Sequence, residues 1–339
     1  WYIDASGNVI FLSDTRNLII NPLDGVMATW GRGNSITSAT IPANNDGNYT
    51  ADRWVLLSDG NNIVQVSQQT ASPPAGSSGF LRLLVSTTNK KFGLLQIVDN
   101  LACINQLSKY VSFSILVKTT AAAIGNIRIG VLEWTGTANS PTKDVVSAWN
   151  AAGSDPTLVT NWAYKNTPAN IALTTSWQLI KVENVKLGAS FTNLGVFIWS
   201  DDTTTTANDI LDMSQVWLNP GPTSIPFLSR QPEIERAMCK QSFQRIGNGV
   251  WGRVRDANNM DLYPTWFPMR ATPTLVLNTT TPTMNVNFGN LTGSSSTAAF
   301  NRASDVAGSI FLTGFTGMTA NHPVIGWDNA FDLSAEIGV

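Results

Sequence analysis

Short runs in which apolar and polar residues alternate, each bounded by Gly, Pro, Asn or Ser, dominate this chain. A strand points successive side chains to opposite faces, so such a run suits a half-buried strand and no helix. Val111-Ser112-Phe113-Ser114-Ile115-Leu116-Val117-Lys118 puts Val111, Phe113, Ile115 and Val117 on one face. Ser112, Ser114 and Lys118 fall on the other, as in an antiparallel sheet with one wet side. Residues 127–134 alternate likewise, with Ile127, Ile129 and Val131 on one side. The same grammar predicts strands over 63–68, 80–86, 94–98, 177–185, 194–200 and 210–218. Residues 194–200 are apolar on both faces, which predicts a central strand covered on each side. Many short strands with turn signals and almost no helical period predict an all-β chain, a β-sandwich of jelly-roll type.

One segment breaks the pattern. Residues 232–246 read as a helix: Pro232 suits a first turn, Glu233 and Glu235 favour its positive end, and Lys240 and Arg245 favour the other. Gly247 stands where a helix commonly stops. Strand grammar resumes over 275–277, 284–288, 309–313 and 330–337, with 289–297 read as a Gly/Ser/Thr-rich hairpin loop. At the other end, residues 1–12 read as a short hairpin turning at Ala5-Ser6-Gly7-Asn8. The organisation predicted is an N-terminal connector or attachment segment (1–20), a jelly-roll domain (21–230), a linking helix (231–247) and a smaller C-terminal β-sandwich domain (248–339). Residues 135–176 form a long insertion with weak strand signals, and such insertions usually serve function or an interface.

Charged residues make up only 13% of the 339 and the net charge is −2. That argues against a nucleic-acid footprint or a polybasic membrane anchor. No apolar run is long enough to be read as a transmembrane helix. Sparse charge suits a protein whose surfaces meet neighbouring subunits. Cys103 and Cys239 are read as two buried thiols, and the single histidine, His322, as a loop residue before Pro323. Neither a zinc signature, a Gly-rich phosphate loop nor a nucleophile elbow is present, so no cofactor is expected and the chain is read as non-enzymatic. The chain begins at Trp1 without a signal-peptide pattern, as expected of a processed start or of numbering that begins partway along a longer protein.

The chain holds 12 Trp. A sugar ring stacks its C–H surface on such rings while planar polar groups bond its hydroxyls. The candidate ligand-binding residues on this reasoning are Trp134 with Arg128, on the strand face opposite Ile127, and Trp149, Trp162 and Tyr164 of the insertion. The alternative is that these rings fill a core or a subunit interface, the commoner fate of large aromatics. Asp52, Arg53 and Trp54 are read as a structural corner, with an Asp–Arg pair tying a loop and the indole packed inside. Asp201, Asp202, Asn208, Asp209 and Asp212 offer oxygens for Ca²⁺ but lack the spacing of a calcium loop, so a solvated loop is the plainer reading and no metal site is assigned. No acidic pair stands out as a glycosidase dyad, Glu133 included.

Three stretches carry a resemblance. Asn17-Leu18-Ile19-Ile20-Asn21-Pro22 is followed by Trp30-Gly31-Arg32-Gly33 and Tyr49-Thr50-Ala51-Asp52-Arg53-Trp54. Val216-Trp217-Leu218-Asn219-Pro220-Gly221 leads to Ile225-Pro226-Phe227 and Arg230-Gln231-Pro232. Residues 235–246 read ERAMCKQSFQRI, and Phe267-Pro268-Met269-Arg270 follows. In that order they resemble bacteriophage virion proteins of the tail-fibre and head-fibre type, built on a jelly-roll similar to carbohydrate-binding modules. Asn219 and Leu228 stand where that family carries Glu. The resemblance implies a virion localisation, a homotrimer, attachment to other virion proteins through the N-terminal segment, and contact with a host-surface glycan or protein. It leaves open a carbohydrate-active depolymerase or a secreted lectin-like module on the same jelly-roll.

Overall fold

The computed structural model describes residues 2–3, 9–10, 17–19, 30–33, 35–36, 48–120, 124–201, 207–246, 249–277, 282–286, 289–293, 296–326 and 331–337. The chain divides into two compact units, one of Trp1–Glu235 with Ile337–Val339 and one of Arg236–Glu336. The fold is all-β, a jelly-roll sandwich followed by a connecting helix and a smaller β-domain.

In the first unit, successive long strands pass back and forth between two sheets, which makes the jelly-roll. The seven-stranded sheet runs Trp162–Tyr164, Asn126–Trp134, Asn193–Ser200, Phe92–Val98, Trp54–Ser58, Asn48–Tyr49, and Ile171–Ala172 also pairs with Asn126–Trp134. The six-stranded sheet runs Gln178–Lys186, Tyr110–Thr119, Ile210–Pro220, Phe80–Val85, Val64–Gln69, Ser35–Ile36. Every pairing is antiparallel. Val111, Phe113, Ile115 and Val117 point into the core between the sheets, as their alternation predicts, and meet Ile127, Ile129 and Val131 from the opposite sheet. Asn193–Ser200 lies between two neighbours and is buried along its whole length. The N-terminal hairpin pairs Tyr2 with Ile10, and its Ala5–Asn8 turn lies outside the described residues.

The helix is shorter than its sequence pattern predicts. It spans Pro232–Lys240, and Phe243–Ile246 is a strand paired with Phe331–Ser334. The physical reason is long-range. Phe243 and Ile246 gain burial, the backbone gains a ladder partner, and Arg245 finds Asp332 directly opposite, with two bonds of 2.8 and 2.9 Å. Aromatic and β-branched residues favour such a half-buried ladder over another helical turn. Gly247 lies outside the described residues.

The second unit holds a three-stranded sheet, Phe243–Ile246, Phe331–Ser334, Thr274–Leu277, and a seven-stranded one. The latter runs Gly289–Thr292, Thr283–Val286, Pro323–Gly326, Val250–Val254, Met260–Leu262, Gly308–Leu312, Ala298–Ala303. Residues 289–292, expected as loop, form a strand paired with Thr283–Val286. Its own core gathers Val254, Met260, Leu262, Ile310, Leu312 and Leu333. Among the described residues, no helix is long and apolar enough to cross a membrane.

Candidate functional site

The aromatic residues singled out in the sequence do come together, but beneath a cover. Trp134, Trp162, Tyr164 and Trp149 join Leu132, Phe197 and Trp199 on the outer face of the seven-stranded sheet, and the 135–176 insertion folds over that face. Phe197 and Trp199 stack at 4.7 Å, Tyr164 leans on Trp199 at 6.0 Å, and Trp134 meets Trp162 at 5.4 Å. Two glycines make the close approach possible. A Cβ on Gly130 would lie 2.9 Å from the Tyr164 ring, and one on Gly195 would lie 3.2 Å from the Trp162 ring. The indole N–H groups of Trp134 and Trp162 are spent on the carbonyls of Thr137 and Thr142. Burial raises the Tyr164 phenol well above its ordinary range. Trp134 and Trp162 are therefore packing residues, not an open platform: the insertion needs an apolar underside, and these rings supply it.

Arg128 works at the same seam. Its guanidinium donates to Asp155 (2.5 Å), Asn170 (2.6 Å) and the Gly153 carbonyl (2.9 Å), all in the insertion. Asp201 completes the seam, taking Lys91 at 3.2 Å, Arg128 at 3.6 Å and the Gly153 amide at 2.8 Å. Glu133, likewise buried, accepts from the Gly188 amide and pairs with Lys165 at 3.3 Å.

The Asp52-Arg53-Trp54 corner is built differently from the pair expected. Asp52 takes the Gly31 amide (2.9 Å) and Arg32 (3.4 Å), while Arg53 reaches Asp99 (3.2 Å) and the Ile97 carbonyl (3.1 Å). Arg53 takes a left-handed backbone conformation with φ +72°, and Trp54 goes fully into the core. Other residues of the resemblance converge on a second joint. The Asn17 side chain bonds the Val216 carbonyl (3.0 Å) and the amides of Ile19 (3.0 Å) and Leu218 (2.9 Å). Arg230 clamps the Ile19 carbonyl (3.2 Å), the Asn17 carbonyl and Glu235 (2.9 Å). Residues some 200 positions apart in sequence thus hold one chain crossing.

The outer face of the six-stranded sheet is only partly open: Ser112 and Ser114, expected on the wet side, are buried, and solvent reaches the face around Arg82 and Lys118. The ladder registers set Arg82 opposite Asp212 and Asp212 opposite Lys118, with Ser67 beyond Arg82. Arg82 binds Asp212 through two bonds of 2.7 and 2.8 Å, and Lys118 stands 3.7 Å from the same carboxylate. That hydrogen bond raises the Arg82 guanidinium further above its already high range. The Lys118 ammonium lies 4.8 Å from the centre of the Trp177 ring, and Trp177 meets Phe80 edge-on at 5.4 Å. Asp212 is 0% exposed, while Arg82 (25%) and Lys118 (19%) keep part of their surface in water and Trp177 is half-buried, flanked by Gln65, Gln69 and Leu116. The row presents one indole, fixed cations and neutral amides side by side, which suits a hydroxylated ligand lying flat on the sheet.

Alternation placed Lys118 on a wet face, but nothing local tied it to Arg82 or Asp212, its neighbours through cross-strand register, or to Trp177, which stands just before the strand Gln178–Lys186. Of the oxygen cluster considered for Ca²⁺, Asp201 and Asp212 lie on different sheets and each holds cationic side chains, while Asp202 lies outside the described residues. Among the described residues no group of three or more His, Cys, Asp or Glu could hold a metal ion. Cys103 and Cys239 are both buried.

No protein family matches the sequence, and no curated protein matches it. Similar solved structures include the enzymatically active domain of tailspike protein 4 of bacteriophage CBA120, at 12% identity and TM-score 0.33, covering 50% of this chain and 19% of that one. The chain thus corresponds to about a fifth of the tailspike domain. A xylan-binding domain of carbohydrate-binding module family 22 aligns at 12% identity and TM-score 0.34, over 53% of this chain and 95% of its own. The family 22 xylan-binding domain of Paenibacillus barcinonensis Xyn10C aligns at 12% identity and TM-score 0.32, over 58% of this chain and all of its own. The structural neighbours of this chain therefore include a phage tailspike domain and jelly-roll carbohydrate-binding modules.

Proposed function

We propose that this chain is a non-enzymatic structural protein of a phage virion, a fibre or decoration component, whose six-stranded sheet holds a host-surface glycan on its outer face. The observation that carries the binding reading is the row Ser67, Arg82, Asp212, Lys118, set by strand register and partly open to solvent, with Trp177 held beside Lys118. A rigid sheet holds such groups in place before the ligand arrives, which lowers the entropy cost of binding. The structural role draws on the resemblance, whose residues Asn17, Leu218 and Arg230 serve as joints between distant segments. Buried carboxylates at Glu133, Asp201, Asp212 and Asp261 each hold a cationic side chain, the arrangement of a framework more than of a free acid or base. In this reading the chain forms a homotrimer, joins other virion proteins through its N-terminal segment, and works on the particle without a cofactor.

The test is binding of the full chain to a panel of immobilised bacterial surface polysaccharides, with the supernatant assayed for released oligosaccharides. Retention that falls about tenfold in Trp177→Ala, with no release, is the expected result; a lost aromatic contact of about 1.4 kcal/mol gives that factor. Release of oligosaccharides abolished by one Asp or Glu substitution would establish the depolymerase alternative. Retention indifferent to Trp177 and Lys118 would leave the row as a cross-strand ladder with a stabilising role only. Sedimentation separates a trimeric fibre component from a free monomeric lectin.

A further inference from the structure

The second unit carries an aromatic cleft that sequence reading did not find. Trp251, on the strand Val250–Val254, and Tyr263, the residue after the strand Met260–Leu262, are joined where the Tyr263 amide donates to the Trp251 carbonyl at 2.8 Å. Their neighbours Val250 and Leu262 are buried, so the pleat turns both rings outward, and they are 63% and 48% exposed. They border a cavity of about 310 Å³ whose other walls include Gln244, Arg245, Thr265 and Trp266. That volume is at the small end of ligand sites, which run from roughly 300 to 1,000 Å³.

The walls are fixed before any ligand arrives. Gln244 is spent on its surroundings, donating to the Phe267 and Lys240 carbonyls and accepting the Phe267 amide. Trp266 leans on Phe300 at 5.9 Å and is seated over Gly308, where a Cβ would come within 2.7 Å of the indole. Among the described residues its Nε1–H meets no acceptor, and the nitrogen is closed off from any molecule in the cleft, so the indole serves as a fixed wall and not as a donor. Arg245 uses Nε and Nη2 on Asp332, which holds the guanidinium plane still, while Nη1 lies outside that pair. The same carboxylate neutralises its charge.

We propose that this cleft binds one neutral pyranose residue of a glycan, with the ring's C–H surface on Trp251 and Tyr263 and a hydroxyl oxygen accepting from Arg245 Nη1–H. The chemistry selects this ligand class. Two exposed rings favour a flat apolar surface, the Arg245 Nη1–H donor asks for an acceptor, and the matched Arg245–Asp332 pair leaves no net charge to select an anion. The site is independent of the sheet-face reading, because it lies wholly within the other unit.

The experiment is saturation-transfer NMR on the full chain with glucose, galactose, mannose, N-acetylglucosamine and their β-linked disaccharides. The expected result is transfer to ring protons of at least one sugar, with affinity about tenfold weaker in Trp251→Ala and in Tyr263→Ala and unchanged in Trp177→Ala. Both substituted side chains are surface residues, so the fold does not depend on them. Absence of transfer from every sugar, or transfer unaffected by Trp251→Ala, overturns the proposal. Loss confined to Trp177→Ala would support the sheet face and overturn the cleft. A response to a proline-rich peptide with none to sugars would overturn it as well.

Discussion

The Lys91 ammonium lies 3.2 Å from a carboxylate oxygen of Asp201, and both side chains are 1% exposed. Lys91 also donates to the Ala151 carbonyl, and Asp201 accepts the Gly153 amide, so one buried pair staples the insertion to the sandwich beneath it. Removing one partner strands the other charge away from water. Asp201→Asn is expected to lower stability by about 3–5 kcal/mol, read from urea unfolding. Native-state hydrogen exchange should localise the loosening to residues 150–156.

Gly130 and Gly195 are expected to resist even a methyl group. Gly130→Ala drives a Cβ to 2.9 Å from the Tyr164 ring, which must shift off its packed position over Trp199. A cost of about 1–3 kcal/mol follows from overpacking. Gly195→Ala, at 3.2 Å from Trp162, should cost less. Thermal unfolding of the two variants side by side checks the order, and an inverted order would count against the stacking described.

Cys103 makes stability depend on alkaline pH. Burial pushes its thiol from an ordinary value of 9.0 up to about 12. The folded state therefore keeps a proton that the unfolded state gives up, and the unfolded state gains as pH rises. Stability contributed by this group is intact below about pH 9 and is lost between there and pH 12, at up to about 1.4 kcal/mol per pH unit. Cys103→Ala should flatten that decline relative to the parent chain. In the native state at pH 8 the thiol should react with Ellman's reagent only after urea is added.

Arg230 holds the segment around Asn17 and Ile19 through two backbone carbonyls while pairing with buried Glu235. Arg230→Ala removes the clamp and both bonds at once. Limited proteolysis should then cut N-terminal to residue 48 several-fold faster, while the sandwich core beyond it stays intact. Equal cutting rates would show that Asn17 suffices alone.

Much of the fold is written locally. Alternation named the inward faces of Tyr110–Thr119 and Asn126–Trp134, because a period of two assigns each residue to a face whatever its partners are. It failed where a partner decides. Phe243–Ile246 reads as helix by itself and becomes strand because Phe331–Ser334, far along the chain, offers a ladder and a carboxylate. The Trp251–Tyr263 pair escaped notice for the same reason, since their adjacency exists only through register.

The amino-acid sequence by itself determined an all-β chain, the inward faces of Tyr110–Thr119 and Asn126–Trp134 and the central, doubly covered place of Asn193–Ser200. Those follow from side-chain chemistry and the pleat. Only tertiary structure decided which sheet face would meet water. The insertion closed over Trp134 and Trp162, while Trp177, Lys118 and Arg82 on the other sheet's outer side stayed only partly covered. A strand's own residues cannot specify that outcome, because either face of a sheet becomes core once another segment supplies matching apolar surface and satisfies the polar groups at its edge.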